Sequence, residues 1–380
     1  MPSSHFALFV DEFTAKSSVS IDPEHVLAAL AELPDPRRKR GVRHRFSHLL
    51  VIMVCSVLAG ATSMVEMAEW AADTAREQLA VLGIGAPHAT TLGRVLERLD
   101  ADFLDRLLGA WVQSATAPSV VAVDGKEVRG AKNGGRPRVH LLAAVDHHSG
   151  GVLGQVSVAE KSNEIPCFPK LLEDIKDLEG VVLTADALHT QRSHAQYLRS
   201  RGAHYVLTVK MNQPLLHDQC ASLPWSRIRA GNTSRETANG REIVRTVKCV
   251  SLDAGINFPH AEQIGQITRR SRPAGTRKWS TETVYVITSL TPSAGKPAHI
   301  GALVRGHWGI ENGLHWRRDV LYREDKSQVR NGEAPRVMAS LRNTAITILR
   351  LHGETNLAKA TRTARNYPTQ ALKLAGIHIN

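Results

Sequence analysis

Two aspartates and one glutamate give this chain its clearest chemical prospect. Asp124 directly follows the β-branched run Ser119-Val-Val-Ala-Val123, and Asp186 directly follows Val181-Val-Leu-Thr-Ala185. A sheet that pairs those runs would set the two carboxylates close together. Carboxylates that close repel and raise a pKa unless a divalent cation lies between them. Magnesium is a hard, oxygen-seeking ion that also takes phosphate oxygens, so such a pair points to phosphoryl transfer with two metal ions. The plainer alternative is that each Asp caps a turn, and for Asp124-Gly125 taken alone that is the better one. A candidate for a third acid, Glu311, lies in a later segment. A helix starting near Gly306 puts His307, Glu311, His315 and Arg318 or Asp319 on one face, because residues three and four apart are neighbours on a helix. A polar stripe of this kind reads either as a site or as a solvated helix with ion pairs, and the two upstream aspartates favour the site.

Those acids need a sheet and a helix to bring them together. Periodicity and turn signals predict strands over 119–123, 139–145 and 151–158, a helix over 166–178, a strand over 181–185, a helix over 191–201 and a strand over 204–210. The order β-β-β-α-β-α-β is that of a ribonuclease H-like fold, in which the first and fourth strands lie side by side. Strand-like runs at 241–250, 262–270 and 281–289 then break the alternation and read as a β-rich insertion. Helix returns near Gly306 and at 335–352, before a short basic tail from Gly353.

Upstream the chain reads as all-helical. A helix over 23–33 ends at Pro34-Asp-Pro36, because the residue before a proline is steered away from helix. The densest positive run follows, Arg37-Arg-Lys-Arg-Gly-Val-Arg-His-Arg45, which makes Arg37, Arg38, Lys39, Arg40, Arg43 and Arg45 candidates for DNA-phosphate contact. Ser47 can cap a helix that stops at Gly60. Thr62 or Ser63 can cap one over 64–75, and Thr90 or Thr91 a third. Three helices behind a basic arm resemble a helix-turn-helix module, and a purely structural bundle fits the same spacing. The expected division is a tail over 1–24, a helical DNA-binding segment over 25–115, the first part of the core over 116–214, the insertion over 215–300 and a helical part carrying the third acid over 301–380.

Composition narrows the partners. The 380 residues carry 48 Lys+Arg against 36 Asp+Glu, a formal charge of +12 that suits an anionic partner such as nucleic acid. Cys55, Cys167, Cys220 and Cys249 are scattered without a C-x-x-C pair, which argues against a zinc ribbon or a disulfide framework. The first residues lack the features of a signal peptide, and the most apolar run, 49–61, is too short to span a bilayer. A soluble, cytoplasmic protein with no membrane partner is expected.

At this point the motifs converge. Ala122-Val-Asp-Gly-Lys126, His140-Leu-Leu-Ala-Ala144, Glu160-Lys-Ser-Asn-Glu164, Leu183-Thr-Ala-Asp-Ala-Leu-His-Thr-Gln191, Val209-Lys-Met-Asn-Gln213 and Arg305-Gly-His-Trp-Gly-Ile-Glu-Asn312 resemble, in that order, the DDE transposases of bacterial insertion sequences. The resemblance is closest to the ISAs-type subgroup, which includes the H-repeat-associated proteins, and covers nearly the whole chain. It implies Asp124, Asp186 and Glu311 as a catalytic, metal-binding triad for two Mg²⁺ ions, with Mn²⁺ as a substitute. It implies double-stranded DNA as partner, both terminal inverted repeats and target, and a homodimer in a paired-end complex. The wider group carries a Tyr, Arg, Glu, Lys signature where this chain has Val304, His307, Glu311 and Arg318, so the tyrosine's role is unassigned. His307 and Arg318 stand as substitutes for phosphate contacts.

Other polar residues near the strand ends are Lys126, Lys161, Asn163, His189, Lys210 and Asn212. They either orient DNA or water or serve as satisfied turn residues. Lys126 and Lys210 are the DNA-binding candidates among them. Glu324 and Asp325 rival Glu311 as third acid but lie too far along the presumed helix. Trp308 and Trp316 could share a core-facing side, with stacking on a flipped base as the sharper alternative. The competing functions are a metal-dependent nuclease of the same fold and a catalytically silent, transposase-derived DNA-binding protein.

Overall fold

The computed structural model describes residues 4–12, 19–22, 24–38, 42–131, 139–159, 162–252 and 256–379. Its centre is a nine-stranded mixed sheet. The strands are β2 Val120–Val128, β3 Val139–Asp146, β4 Val152–Val158, β5 Val182–Ala185, β6 His204–Val209, β7 Asn232–Ala238, β8 Arg241–Ser251, β9 Gln263–Pro273 and β10 Ser280–Thr288. Their spatial order is β4-β3-β2-β5-β6-β10-β9-β8-β7. The expected neighbouring of the first and fourth of these strands is present: β2 and β5 pair in parallel from Val120↔Val182 to Val123↔Ala185. Both runs are β-branched and almost wholly buried, as strands covered on both faces should be.

The first of these strands is longer than expected. Asp124-Gly125 does not close it, because β2 keeps its antiparallel ladder with β3 as far as Val128↔Val139. Asp124 therefore marks where the parallel partner stops while the antiparallel one continues. The insertion reads as part of the core rather than as an independent domain, and β10 pairs with β6 from Tyr285↔Val209 to Thr288↔Val206, extending the same sheet.

Helices cover the sheet. Ahead of it come α1 Ser4–Asp11, α2 Val26–Leu30, α3 Phe46–Leu58, α4 Met64–Glu69, α5 Arg76–Val81, α6 Ala89–Leu96 and α7 Ala101–Ala115; α4 and α5 are joined by a π-helical turn at Trp70–Thr74. Ser63 caps α4 as expected by accepting from Glu66 N, and Gly60 ends α3 at φ 88°. Ser47 caps nothing; its hydroxyl bonds Glu12, and Arg45 holds the N-cap position of α3. The apolar run expected to be too short for a membrane is α3, buried on all sides, and no helix among the described residues is long and apolar enough to cross a bilayer. The helix α7 was not separately expected. Asp100 caps it through Phe103 N at 2.9 Å, and its apolar side lies on β4.

After β4 come α8 Cys167–Glu173, α9 Arg192–Ser200 and α10 Pro214–Ala221. Beyond the insertion, α11 Pro297–Ile310, α12 Trp316–Leu321, α13 Ala334–Leu351, α14 Leu357–Asn366 and α15 Pro368–Leu374 close the fold. The basic tail after Gly353 continues the helical C-terminal part. It forms α14, α15 and β11 Ile377–Ile379, and β11 pairs with β1 Val19–Ile21. One hydrophobic cluster runs from Phe9 through the N-terminal helices and the sheet to Ile377, so the helical segment shares its core with the strands.

Two buried ion networks fix helices on this core. Asp105 of α7 takes Arg336 (2.8 Å), Ser340 and Gln155, which ties α7 and β4 to α13. Glu324 lies between Arg318 at 2.7 Å and Arg342 at 3.0 Å, with side-chain exposures of 0%, 1% and 1%. Removing the shared acid would leave two buried guanidiniums without counter-charge. Glu324→Gln should therefore cost about 3–5 kcal/mol in chemical denaturation. Asp102→Asn, which loses a half-exposed partner of Arg336, should cost less than about 1 kcal/mol.

Candidate active site

Because the parallel ladder stops at Val123↔Ala185, the next residue of each strand, Asp124 and Asp186, stands at the same end of the sheet. Asp186 is also the N-cap of the short turn Ala187–His189, and its Oδ1 accepts from Leu188 N at 3.0 Å. The turn-capping alternative thus holds for one oxygen of Asp186. Asn212 Nδ2 braces the same turn through Ala187 O at 2.6 Å.

The third carboxylate arrives on an interrupted helix. Between α11 and α12, residues Glu311–His315 form a π-helical turn, in which Trp316 N reaches back to Glu311 O. Such one-residue bulges change the phase of a helix and gather at functional sites. The expected polar face holds for three members. His307 Nδ1 lies 3.2 Å from Thr184 Oγ1, Glu311 is in electrostatic range of Asp124, and His315 Nδ1 lies 3.5 Å from Asp124 Oδ2.

A fourth acid belongs to this cluster and was not singled out from sequence. Glu164 accepts from His140 Nε2 at 2.8 Å and lies 3.0 Å from His189 Nε2. It packs so tightly on β2 that a Cβ on Gly125 would lie 2.0 Å from its Oε1. A side chain at this position would push the Glu164 carboxylate away from the strand. The Glu160–Glu164, His140 and His189 motifs each signalled it, but their convergence on Gly125 is a contact between distant parts of the chain.

The electrostatics follow from this crowding. Burial first, then the neighbouring Asp186, Glu164 and Glu311 charges, raise Asp124 from the ordinary 3.8 to about 7, against a lowering by the Gly125 backbone. Glu164 moves the other way, to about 2, because hydrogen bonds and charge from His140 and His189 outweigh the upward push of its burial. Among the described residues no three His, Cys, Asp or Glu side chains converge tightly enough to enclose a metal ion. The carboxylates nonetheless offer oxygen donors of the kind a hard divalent cation takes, among them a partly buried acid whose ionisation the other acids oppose.

Sequence comparison decides the family. The family described as Transposase DDE domain matches residues 115–348, and one described as DDE_Tnp_1-associated matches residues 27–112. The chain belongs to the DDE transposase family. YncI of Escherichia coli O157:H7, whose name describes a transposase, is 28% identical over 345 residues, covering 86% of this chain and 87% of YncI. YhhI of Escherichia coli strain K12, named as an H repeat-associated transposase, is 29% identical over 337 residues, covering 83% and 88%. A cryo-EM structure of the piggyBac transposase synaptic complex with hairpin DNA covers 97% of this chain and 80% of that chain at a TM-score of 0.45 and 12% identity, a likeness too distant to add to the assignment. DDE transposases generally use divalent metal ions.

Several expected DNA contacts of this transposase need correcting. Arg318 is fully buried against Glu324, because the phase after the π-turn directs it into the core, so it is not a surface phosphate contact. Lys126 is taken by Asp319 at 2.7 Å with Asp325 at 3.9 Å, and is only 11% exposed. His307 is lowered to about 4, chiefly by burial, and so is a neutral imidazole rather than a cation. Lys210 is exposed at the end of β6. In the basic arm Arg38, Arg43 and Arg45 are exposed and Arg37 is held by Asp35 at 2.8 Å, while Lys39 and Arg40 lie outside the described residues, as does Lys161.

The tryptophans also depart from core packing. Trp308 is 55% exposed and Trp316 is 49% exposed, because Ile300, Leu303 and Ile310 supply the inward side of α11. Trp308 lines a cavity of about 450 Å³ between α11 and the insertion strands, together with Arg245, Arg269 and Arg305.

The raised Asp124 makes a pH prediction for the metal-free transposase. A carboxyl whose folded pKa is raised stabilises the fold fully below its unfolded pKa, and that contribution is lost as pH rises through the folded value. Relative to Asp124→Asn, wild-type Tm in chelator should fall between pH 3.8 and about 7 and level off above. A pH-independent difference between the two would refute the crowding of Asp124.

Proposed function

We propose that this transposase binds the ends of an insertion sequence and cuts and rejoins DNA at the site formed by Asp124, Asp186 and Glu311, on a ribonuclease H-like core that carries a β-rich insertion. The observation that carries this reading is the pairing of β2 with β5, which ends one residue before both aspartates. The acid-bearing π-turn on the neighbouring helix supports the choice of Glu311. The alternative third acids are already committed: Glu324 to Arg318 and Arg342, and Asp325 to the neighbourhood of Lys126 and Arg129.

In the proposed reaction a water oxygen attacks a backbone phosphorus at the transposon end and the bond to the 3′-oxygen breaks, which frees a 3′-hydroxyl. That hydroxyl then attacks a phosphorus of target DNA in the same in-line sense, and a target 3′-oxygen leaves. Two Mg²⁺ ions, held by Asp124, Asp186 and Glu311, would supply Lewis acidity to the attacking and leaving oxygens. The protein's own residues supply placement. Asn212 and the Leu188 amide orient Asp186, Glu164 and Gly125 crowd Asp124 from the strand side, and neutral His315 lies against the Asp124 carboxylate.

The exposed arginines of the N-terminal arm and Lys210 are the remaining candidates for backbone contact. The half-exposed Trp308 beside three arginines favours base stacking over core packing for that residue. Synapsis of two ends by a homodimer completes the reading.

Asp124→Asn, Asp186→Asn and Glu311→Gln should each abolish Mg²⁺-dependent cleavage of an end-containing duplex while end binding persists. Cleavage retained by Glu311→Gln would remove that residue from the triad. Cleavage without joining of pre-cut ends to a target plasmid would instead favour a nuclease of the same fold.

A further inference from the structure

Arg350, near the end of α13, makes an unusual pair of bonds. Its Nη1 donates to Gly150 O at 2.9 Å and its Nη2 to Gly313 O at 2.7 Å. Both acceptors are glycines whose side-chain space the guanidinium fills. A Cβ on Gly150 would lie 1.9 Å from Nη1, and one on Gly313 2.5 Å from Nη2. Gly313 belongs to the π-turn that begins at Glu311, so this one side chain fastens the acid-bearing turn to the turn between β3 and β4.

Neither bond supplies a counter-charge. Among the described residues neither Arg350 nor Arg317 has a carboxylate partner, and Arg317 only stacks over Trp316, with Cζ 4.8 Å from the ring centroid. The two cations also oppose each other: burial first, and then Arg317, lower Arg350 from its ordinary value. Both face a cavity of about 950 Å³, walled by Gly309 and Asn312 on either side of Glu311 and by the turn at 147–150. Of the acids at this cavity, Asp146 is engaged by its own turn through Ser149 N at 2.8 Å and Ser149 Oγ at 2.6 Å, and Glu354 is exposed. Two uncompensated guanidiniums on a partly enclosed cavity are stabilised by an anion that enters between them.

We propose that this cavity docks a phosphodiester of the DNA backbone between Arg317 and Arg350, and that the Gly313 carbonyl links this grip to the placement of Glu311. The proposal rests on the DNA-cutting reading above. Arg317 is the contact residue, and Arg350 both contacts the phosphate and positions the turn. The cavity is lined by residues on either side of the third acid, so a strand whose scissile phosphate lies at the acids can seat a neighbouring phosphate here.

The test is fluorescence anisotropy with a labelled duplex from the element's end, titrated over salt, with each variant checked by thermal unfolding. Removing one phosphate contact should flatten the slope of log K against log salt by about one. Arg317→Ala should show that change, as should Arg317→Gln, which keeps a stem to stack on Trp316. Arg317→Lys should keep the wild-type slope. Arg350→Lys should keep the slope but lose end cleavage on the order of a hundredfold, because one ammonium cannot hold both carbonyls in the fork geometry.

Wild-type binding with an unchanged slope in both charge-removing Arg317 variants overturns the site. Inorganic phosphate that raises wild-type Tm but not that of Arg317→Ala, with equal DNA slopes, marks a free-anion site and overturns DNA docking. A wild type that binds no duplex overturns the DNA reading itself, and the docking site with it.

Discussion

Like charge gathered at one end of a sheet is the constraint on which the rest of this molecule depends. Asp124, Asp186, Glu164 and Glu311 come from four separate stretches of chain, and burial raises the cost of their mutual repulsion. The surrounding structure offsets that cost unevenly. Glu164 has two imidazoles and stays ionised, and Asp186 has a backbone amide, whereas Asp124 has its own strand amide and a neutral histidine. The residue at the centre of the cluster is therefore the one least able to carry its charge alone, which is the condition that a divalent cation relieves.

Neighbouring cations are arranged around this centre without neutralising it. Lys126 is two residues beyond Asp124 on the same strand yet turns to Asp319, and Arg318 turns to Glu324. Each of these pairs holds the short helix after the π-turn, one to β2 and the other to the core beside α13. Lys126 and Arg318 thus serve to seat the short helix that follows Glu311, and they leave the charge of the clustered acids unpaired by them.

Much of this was legible in the sequence, and what was not has a common physical origin. The strand runs before Asp124 and Asp186 are short, β-branched and end in an acid, so both their pairing and its consequence could be read locally. The insertion strands were equally plain. The extension of β2 to Val128 was hidden because Asp124-Gly125 is a strong turn signal, and only the partner strand β3 overrides it. The roles of Lys126 and Arg318 were hidden because their partners depend on the phase of a helix that contains a π-turn, which no periodic template anticipates. Glu164 stood in a recognisable motif, but its value lies in touching Gly125, a contact that local pattern does not encode.

The joining of β10 to β6 has a consequence for how such a chain can vary. Because the insertion is hydrogen-bonded onto one margin of the sheet, its outer strands β9, β8 and β7 lie progressively farther from the β2–β5 pair that sets the two aspartates. Changes in those outer strands leave the spacing of Asp124 and Asp186 untouched and reach Glu311 only through α11, which packs on them and is tied to β7 by Arg305 and Glu236. The far margin is thus a place where a lineage can vary the sheet while the pairing that sets the two aspartates is inherited unchanged.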